Sequence, residues 1–365
     1  MPRTPHSPRR MVLIALASVS AYVAAIALIA WLVSERGELV ALLTTLGPGV
    51  LGAVVALQVV ALVVMTARWM LLLRGTDPVR LPFAQAFGVQ LAAHTCNVVL
   101  PFLGGDLAAS WILHRRQGVP WGRSLAASIY ARFAGLLTCA VLALPTSALL
   151  LGEGLSGSVV SGLGRAAGVV LLATAGLVAL SVFPRPLLWL GARFERRSRS
   201  SKGGKVGAGL MLLGWWLHTT ATRDRAEVAG SLALSVLNYS VQAGSILFVA
   251  HGLGLAPRPL AGLAMITVSA LSGIATMVVP GGGLAEELAM YSLTRQLLEA
   301  SVTSAAALVV AFGFVRAAVV ALGVPAVLYY LRRARAADLA PLWQADPAPI
   351  LDLLRASAAQ GSHQA

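Results

Sequence analysis

From residue 11 to residue 33 the chain runs for 23 residues without a charged side chain, and runs of this kind recur along its length. No other feature constrains the fold as strongly. About 20 apolar residues carry a helix across the hydrocarbon core of a bilayer. Within that core the backbone must satisfy its own hydrogen bonds, which leaves helices or closed barrels. Five more runs occupy residues 49–67, 125–151, 166–183, 228–250 and 302–330. The first run follows Arg9 and Arg10 as a signal peptide would, but it exceeds the roughly 7–15 residues of a signal h-region and reads as a retained helix. Six spans predict an all-α polytopic membrane protein.

Composition agrees. Hydrophobic residues make up 58% of the 365 and charged residues 12%, against roughly 45–50% and 25% in soluble domains. Mean hydropathy is +0.80. A disordered chain and an ordinary soluble domain are both excluded. The net charge of +14 could suggest nucleic acid, but so apolar a chain has little water-facing surface for such a partner. Cys96 and Cys139 lie in apolar stretches, so neither a disulfide framework nor a cysteine metal site is indicated. His94, His218 and His251 show no ligand spacing, and there is no P-loop. The expectation is no metal and no cofactor.

Two further apolar stretches are broken. Residues 83–111 are interrupted by Pro101, Gly104, Gly105 and Asp106, and residues 260–293 by Pro280, Gly281, Gly282, Gly283, Glu286 and Glu287. Open backbone survives at membrane depth only inside protein or beside a wet cavity. Each stretch therefore reads as a re-entrant helical hairpin that enters and leaves on one side. The alternative is two short ordinary helices in each, giving about ten spans.

Basic residues set the orientation. With the N-terminus inside, 22 of the 28 fall on the inner side. Arg68, Arg74 and Arg80 are counted there, as are nine between Arg185 and Arg225. Only Arg36, Arg165, Arg258 and Arg295 fall outside, and Arg132 and Arg316 lie within spans. This places the protein in the cell membrane with both termini cytoplasmic. The division is an N-terminal tail (1–10), a transmembrane domain (11–335) and a C-terminal tail (336–365) too short for a catalytic domain. The first half of the domain covers about 40–150 and the second about 228–330, with a basic cytoplasmic loop at 184–227 that anchors topology and attracts anionic lipid. Segment 34–46 is expected on the outer side, and Leu71, Leu72 and Leu73 at the interface. Residues 207–218, with Trp215 and Trp216, read as an interfacial helix.

The two breaks resemble each other. Asn97-Val-Val-Leu-Pro-Phe-Leu-Gly-Gly-Asp106 and Thr276-Met-Val-Val-Pro-Gly-Gly-Gly-Leu-Ala-Glu-Glu287 each lead an apolar run into a proline, paired glycines and an acid. Each is followed by a long span carrying one arginine. The first hairpin would dip in from the cytoplasm and the second from outside, the pattern of an inverted repeat. Broken helices at matching positions in two halves point to a substrate site in transporters. A half-helix starting after a glycine-rich break offers free N–H groups and the positive end of its dipole, which suits phosphate. An arginine at the bilayer centre costs at least about 2.5 kcal/mol to insert, so it faces a partner or a cavity. The candidate substrate-binding residues are Arg132, Arg316, Asp106, Glu287, Asn97, Gly104, Gly105, Gly281 and Gly282. Two readings stand side by side: anion handling, and permanent structural pairs of Arg132 with Asp106 and Arg316 with Glu287. Asn238 and Gln242 form a polar face on the fifth span, for which interhelical hydrogen bonding is the simpler reading. His94 and Asn97 share one face of the first hairpin, where a lone histidine is more often satisfied locally than catalytic.

These residues resemble the lysylphosphatidylglycerol synthase transmembrane-region family, also described as flippase-like membrane proteins. The resemblance runs from about residue 39 to 335. It rests on Arg68-Trp69 with the residues through Arg74, on Asn97 through Pro101 with Gly105-Asp106, on Arg132 followed by Gly135, on Pro280-Gly281-Gly282 with Glu287, and on Arg316. Where the family usually shows Gly-Glu followed three residues later by Arg, this chain has Asp106 and Ala109. Ala131 stands where an acid often precedes the span arginine, and Gly281-Gly282-Gly283-Leu284 replaces Gly-Gly-Leu-Gly. In the namesake enzyme this region translocates an aminoacylated phospholipid that a separate soluble domain makes, and this chain is expected to have no room for that domain. The resemblance implies a stand-alone, non-enzymatic translocator of an anionic or phosphate-bearing lipid, either a phospholipid or an isoprenoid-linked glycolipid. The alternative is a non-transporting partner or regulator of an envelope-lipid biosynthetic enzyme. A third reading is an intramembrane enzyme with Asp106 or Glu287 as base. Homo-oligomerisation stays open.

Overall fold

The structure is a computed structural model and describes residues 36–74, 81–99, 104–119, 121–152, 168, 172, 225–256, 258–278 and 283–332. Among these residues there are nine helices and no strands: α1 (Arg36–Thr45), α2 (Gly47–Arg74), α3 (Phe83–Val99), α4 (Gly104–Gln117), α5 (Trp121–Gly152), α6 (Arg225–Gly252), α7 (Pro259–Val278), α8 (Gly283–Leu297) and α9 (Val302–Arg332). The expected spans at 11–33 and 166–183, the loop at 184–224, residues 207–218 and the C-terminal tail lie outside the described residues, apart from Gly168 and Leu172.

Three helices, α2, α6 and α9, are long and apolar enough to cross a membrane. Each has 28 residues or more, about 42 Å at 1.5 Å per residue, against roughly 30 Å of hydrocarbon. Helix α5 is as long and carries Pro145 in its interior. Serine and threonine are tolerated in these helices because their hydroxyls bond back to the carbonyl one turn earlier. Thr66 does so to Leu62, Thr138 to Ala134, Thr146 to Leu142 and Ser245 to Val241, so no hydroxyl of this group reaches for absent water.

The buried side chains form two clusters. One joins the C-terminal part of α2 to α3, α4 and α5 through Trp69, Leu72, Ala92, Ala109, Trp111 and Ala127. The other joins α1 and the start of α2 to α6–α9 through Leu46, Val54, Ile246, Met265, Met290 and Leu308. Alanine recurs in both, which lets helices approach closely where lipid supplies no hydrophobic drive. Helices α3 and α9 stitch the clusters together. A Cβ at Gly323 of α9 would overlap the Thr95 hydroxyl of α3, and that hydroxyl reaches the Val320 carbonyl at 3.3 Å.

Both interrupted stretches separate into two helices at the expected breaks, after Val99 and after Val278. In the first, Gln117 Nε2 donates to Gln85 Oε1 at 2.8 Å, so the far ends of α3 and α4 return to each other. That open end lies at the C-terminal end of α9, where the Arg116 guanidinium sits 5.5 Å from the Tyr329 ring centroid. The second pair joins the opposite end of the bundle. Four residues link α8 to the start of α9, which Ser301 caps by accepting from the Ser304 N–H at 3.0 Å. The end of α6, from which α7 follows, packs at Gly252 against Leu46 and Val50.

Segment 34–46 carries a helix, Arg36–Thr45, with Leu39 and Leu46 buried in the core and Leu42 and Leu43 packed against it. Leu72 and Leu73 are fully buried, because α2 continues past Arg68 and packs its last two turns against α3–α5.

Candidate functional site

Two ion-paired clusters occupy the broken ends of the hairpins. In the first, α4 begins at Gly104 and places Asp106 in its first turn, where a carboxylate is favoured by the exposed N–H groups. Asn97, near the end of α3, accepts from the Gly105 N–H at 2.9 Å, so the side chain before the break caps the helix after it. A Cβ at Gly105 would overlap the Ala93 carbonyl and lie 2.5 Å from Asn97 Cγ; only glycine permits this approach. Asp106 Oδ2 then meets Arg132 Nη2 of α5 at 2.5 Å, with the two side chains 13% and 26% exposed.

The second cluster repeats the scheme with one more acid. Glu286 lies in the first turn of α8, and Glu287 follows it, wholly buried. Arg316, at the middle of α9, splits its fork between them: Nη1 donates to Glu287 Oε1 at 2.8 Å and Nη2 to Glu286 Oε1 at 2.5 Å. The Ser269 hydroxyl of α7 donates to the same Glu286 oxygen, closing α7 onto α8 as Asn97 closes α3 onto α4. His94 of α3 lies within electrostatic reach of Arg316, so the second cluster abuts the first hairpin.

Of the residues singled out from sequence, Asn97, Gly104, Gly105, Asp106 and Arg132 come together in one cluster and Glu287 and Arg316 in the other. Gly281 and Gly282, with Pro101 and Pro280, lie outside the described residues. Asn238 is buried in α6. Ala109, where the resembled family carries arginine, is fully buried in the first core cluster, so the space that a long side chain would need is closed.

Three participants were missed. Glu286 was taken only as part of the break, although a doublet of acids opposite one arginine was visible. Ser269 gave no signal, being one hydroxyl in an apolar helix. Arg68 was counted only among the inner-side charges; it lies within α2, 6% exposed, and its Nη1 donates to Ser235 Oγ of α6 at 2.7 Å. The apolar triplet after Trp69 showed that the helix does not stop at the charge. Among the described residues no group of three or more histidine, cysteine or acidic side chains could hold a metal.

Helices able to span a bilayer, with charged pairs inside an apolar bundle, define an integral membrane protein. The chain belongs to the lysylphosphatidylglycerol synthase TM region family, whose model matches residues 12–323. No curated protein and no solved structure matches it.

Proposed function

We propose that the protein is a flippase-like translocator of an anionic or phosphate-bearing lipid in the cell membrane. The observation that carries this reading is the paired placement of arginine and acid at two broken helices, Asp106 with Arg132 and Glu286 and Glu287 with Arg316. Charge inside an apolar bundle is expensive, and its usual return is a path for a charged substrate. The hairpins open at opposite ends of the bundle, which supports re-entry from opposite membrane faces. With six spans and cytoplasmic termini, this makes an inverted repeat whose halves can alternate in access. A phosphate that reaches a cluster competes with carboxylate for the guanidinium, and the half-helix N-terminus offers it N–H donors. No covalent step is needed, and the reading is non-enzymatic.

One observation favours the second reading, a non-transporting partner of an envelope-lipid enzyme. Both Nη atoms of Arg316 are already engaged by carboxylates, as fixed architecture requires. Proteoliposomes decide between the two. With fluorescent phosphatidylglycerol in both leaflets and an impermeant quencher outside, a translocator brings nearly all the probe to the quencher. Quenching confined to the outer-leaflet share, as in protein-free vesicles, would leave the partner reading.

A further inference from the structure

Arg68, Arg132 and Arg316 are not equivalent. Arg132 and Arg316 each face a carboxylate. Arg68, although more deeply buried, faces none among the described residues: its Nη1 is spent on the neutral Ser235 hydroxyl, and its Nε–H is buried with no acceptor among them. The titratable groups around it are the Tyr239 phenol and the Cys139 thiol. A guanidinium removed from water without a counter-charge is one of the most unfavourable arrangements a protein interior can hold. Its neighbours are under-satisfied as well. On the same face of α6, Ser231 Oγ and Asn238 Oδ1 are buried without a hydrogen-bond partner.

The close approach of Arg68 and Tyr239 to α5 depends on a glycine. A Cβ at Gly135 of α5 would lie 3.1 Å from the Tyr239 hydroxyl and 3.5 Å from Arg68 Nη1. Gly135 stands three residues beyond Arg132, one turn along the same face. Ser128, a turn before Arg132, accepts from the Trp69 indole N–H at 3.1 Å. A polar seam therefore runs between α2, α5 and α6. The outer faces of α2 and α6 expose Val60, Val63, Val236 and Leu237, a surface that suits acyl chains.

We infer that this seam is an anion site in which Arg68 takes the phosphate of a membrane phospholipid, with its unused Nε–H and the Ser231 and Tyr239 hydroxyls as further donors. An anion can bind here without first breaking an ion pair, which neither other arginine allows. The proposal takes from the function above only the class of ligand, because the readout is equilibrium binding. Loss of translocation with intact binding would count against transport alone, and the converse against this site alone.

The test uses the purified full-length protein in an uncharged detergent, titrated with phosphatidylglycerol, with diacylglycerol of the same chains, and with inorganic phosphate, while the unfolding temperature is followed. Phosphatidylglycerol should raise it and diacylglycerol should not. Arg68→Gln should weaken the phosphatidylglycerol response about tenfold or more, the loss of a charge-assisted contact, and Arg295→Gln, an exposed position, should leave it unchanged. Gly135→Ala adds a helix-favouring methyl group at the seam, covers the case in which Arg68→Gln does not fold, and should also weaken binding. An unchanged phosphatidylglycerol titration in the variants that fold would overturn the inference. So would a response to inorganic phosphate with none to phosphatidylglycerol, since the ligand would then be a free ion.

Discussion

At the scale of single residues, the weight falls on Arg316. It holds two carboxylates, one wholly buried, so its removal takes the counter-charge from both. Arg316→Ala should lose about 3–5 kcal/mol, the range for breaking a buried pair, visible as lost expression and a lower unfolding temperature. Neutralising Glu287 alone should restore only part of this, because Glu286 remains, and the triple change Arg316→Ala, Glu286→Gln, Glu287→Gln should restore most of it. Full restoration by the double change would show that Glu286 adds nothing. In the first cluster the sensitive residue carries no charge. Gly105→Ala would press a methyl group into Ala93 and Asn97, and such overpacking costs about 1–3 kcal/mol. Thermal unfolding in detergent measures it, and a wild-type value would contradict the close approach of α3 and α4.

At the scale of elements, the sequence revealed the breaks and concealed the packing. Proline and paired glycines do not continue a helix, so the division of each apolar stretch into two helices, on either side of residues 100–103 and 279–282, was legible. The same patterning exposed Asp106 and Glu287 as acids beside breaks, and Arg132 and Arg316 as charges where charge is unfavourable. What could not be read was which distant surfaces meet. Arg68 reads as the end of a span because its neighbours across the seam, Ser235 and Gly135, lie far away in the chain. Helix α1 is too short and too polar at its start to stand out in the sequence, and it is Leu39 and Leu46, both buried, with Leu42 and Leu43 beside them, that dock it on the rest of the fold. The hairpins themselves are testable. Gln85→Cys with Gln117→Cys should form an oxidative crosslink and label with an impermeant thiol reagent from one side of the membrane, and Arg258→Cys and Gln296→Cys from the other. Labelling of positions 85 and 117 from opposite sides would replace the hairpin with two ordinary spans.

For the whole molecule, the orientation proposed from the basic residues predicts that a cysteine at position 200 is protected from impermeant reagent in intact cells. Within that frame the two hairpins open at opposite ends of the bundle and carry similar machinery at their breaks: an acid in the first turn of the helix after the break and an arginine on the next long helix. Similar parts reached from opposite ends are what a lipid headgroup crossing the bilayer would need, because it must be received on one face and released on the other. The most direct measurement is translocation of fluorescent phosphatidylglycerol in proteoliposomes containing Arg132→Lys or Arg316→Lys, beside the unfolding temperature of each. Lysine keeps the charge and lacks the planar fork that grips phosphate. Transport should fall in both variants while stability stays close to wild type. Wild-type transport at unchanged stability in both would contradict a working role for the two arginines in lipid passage.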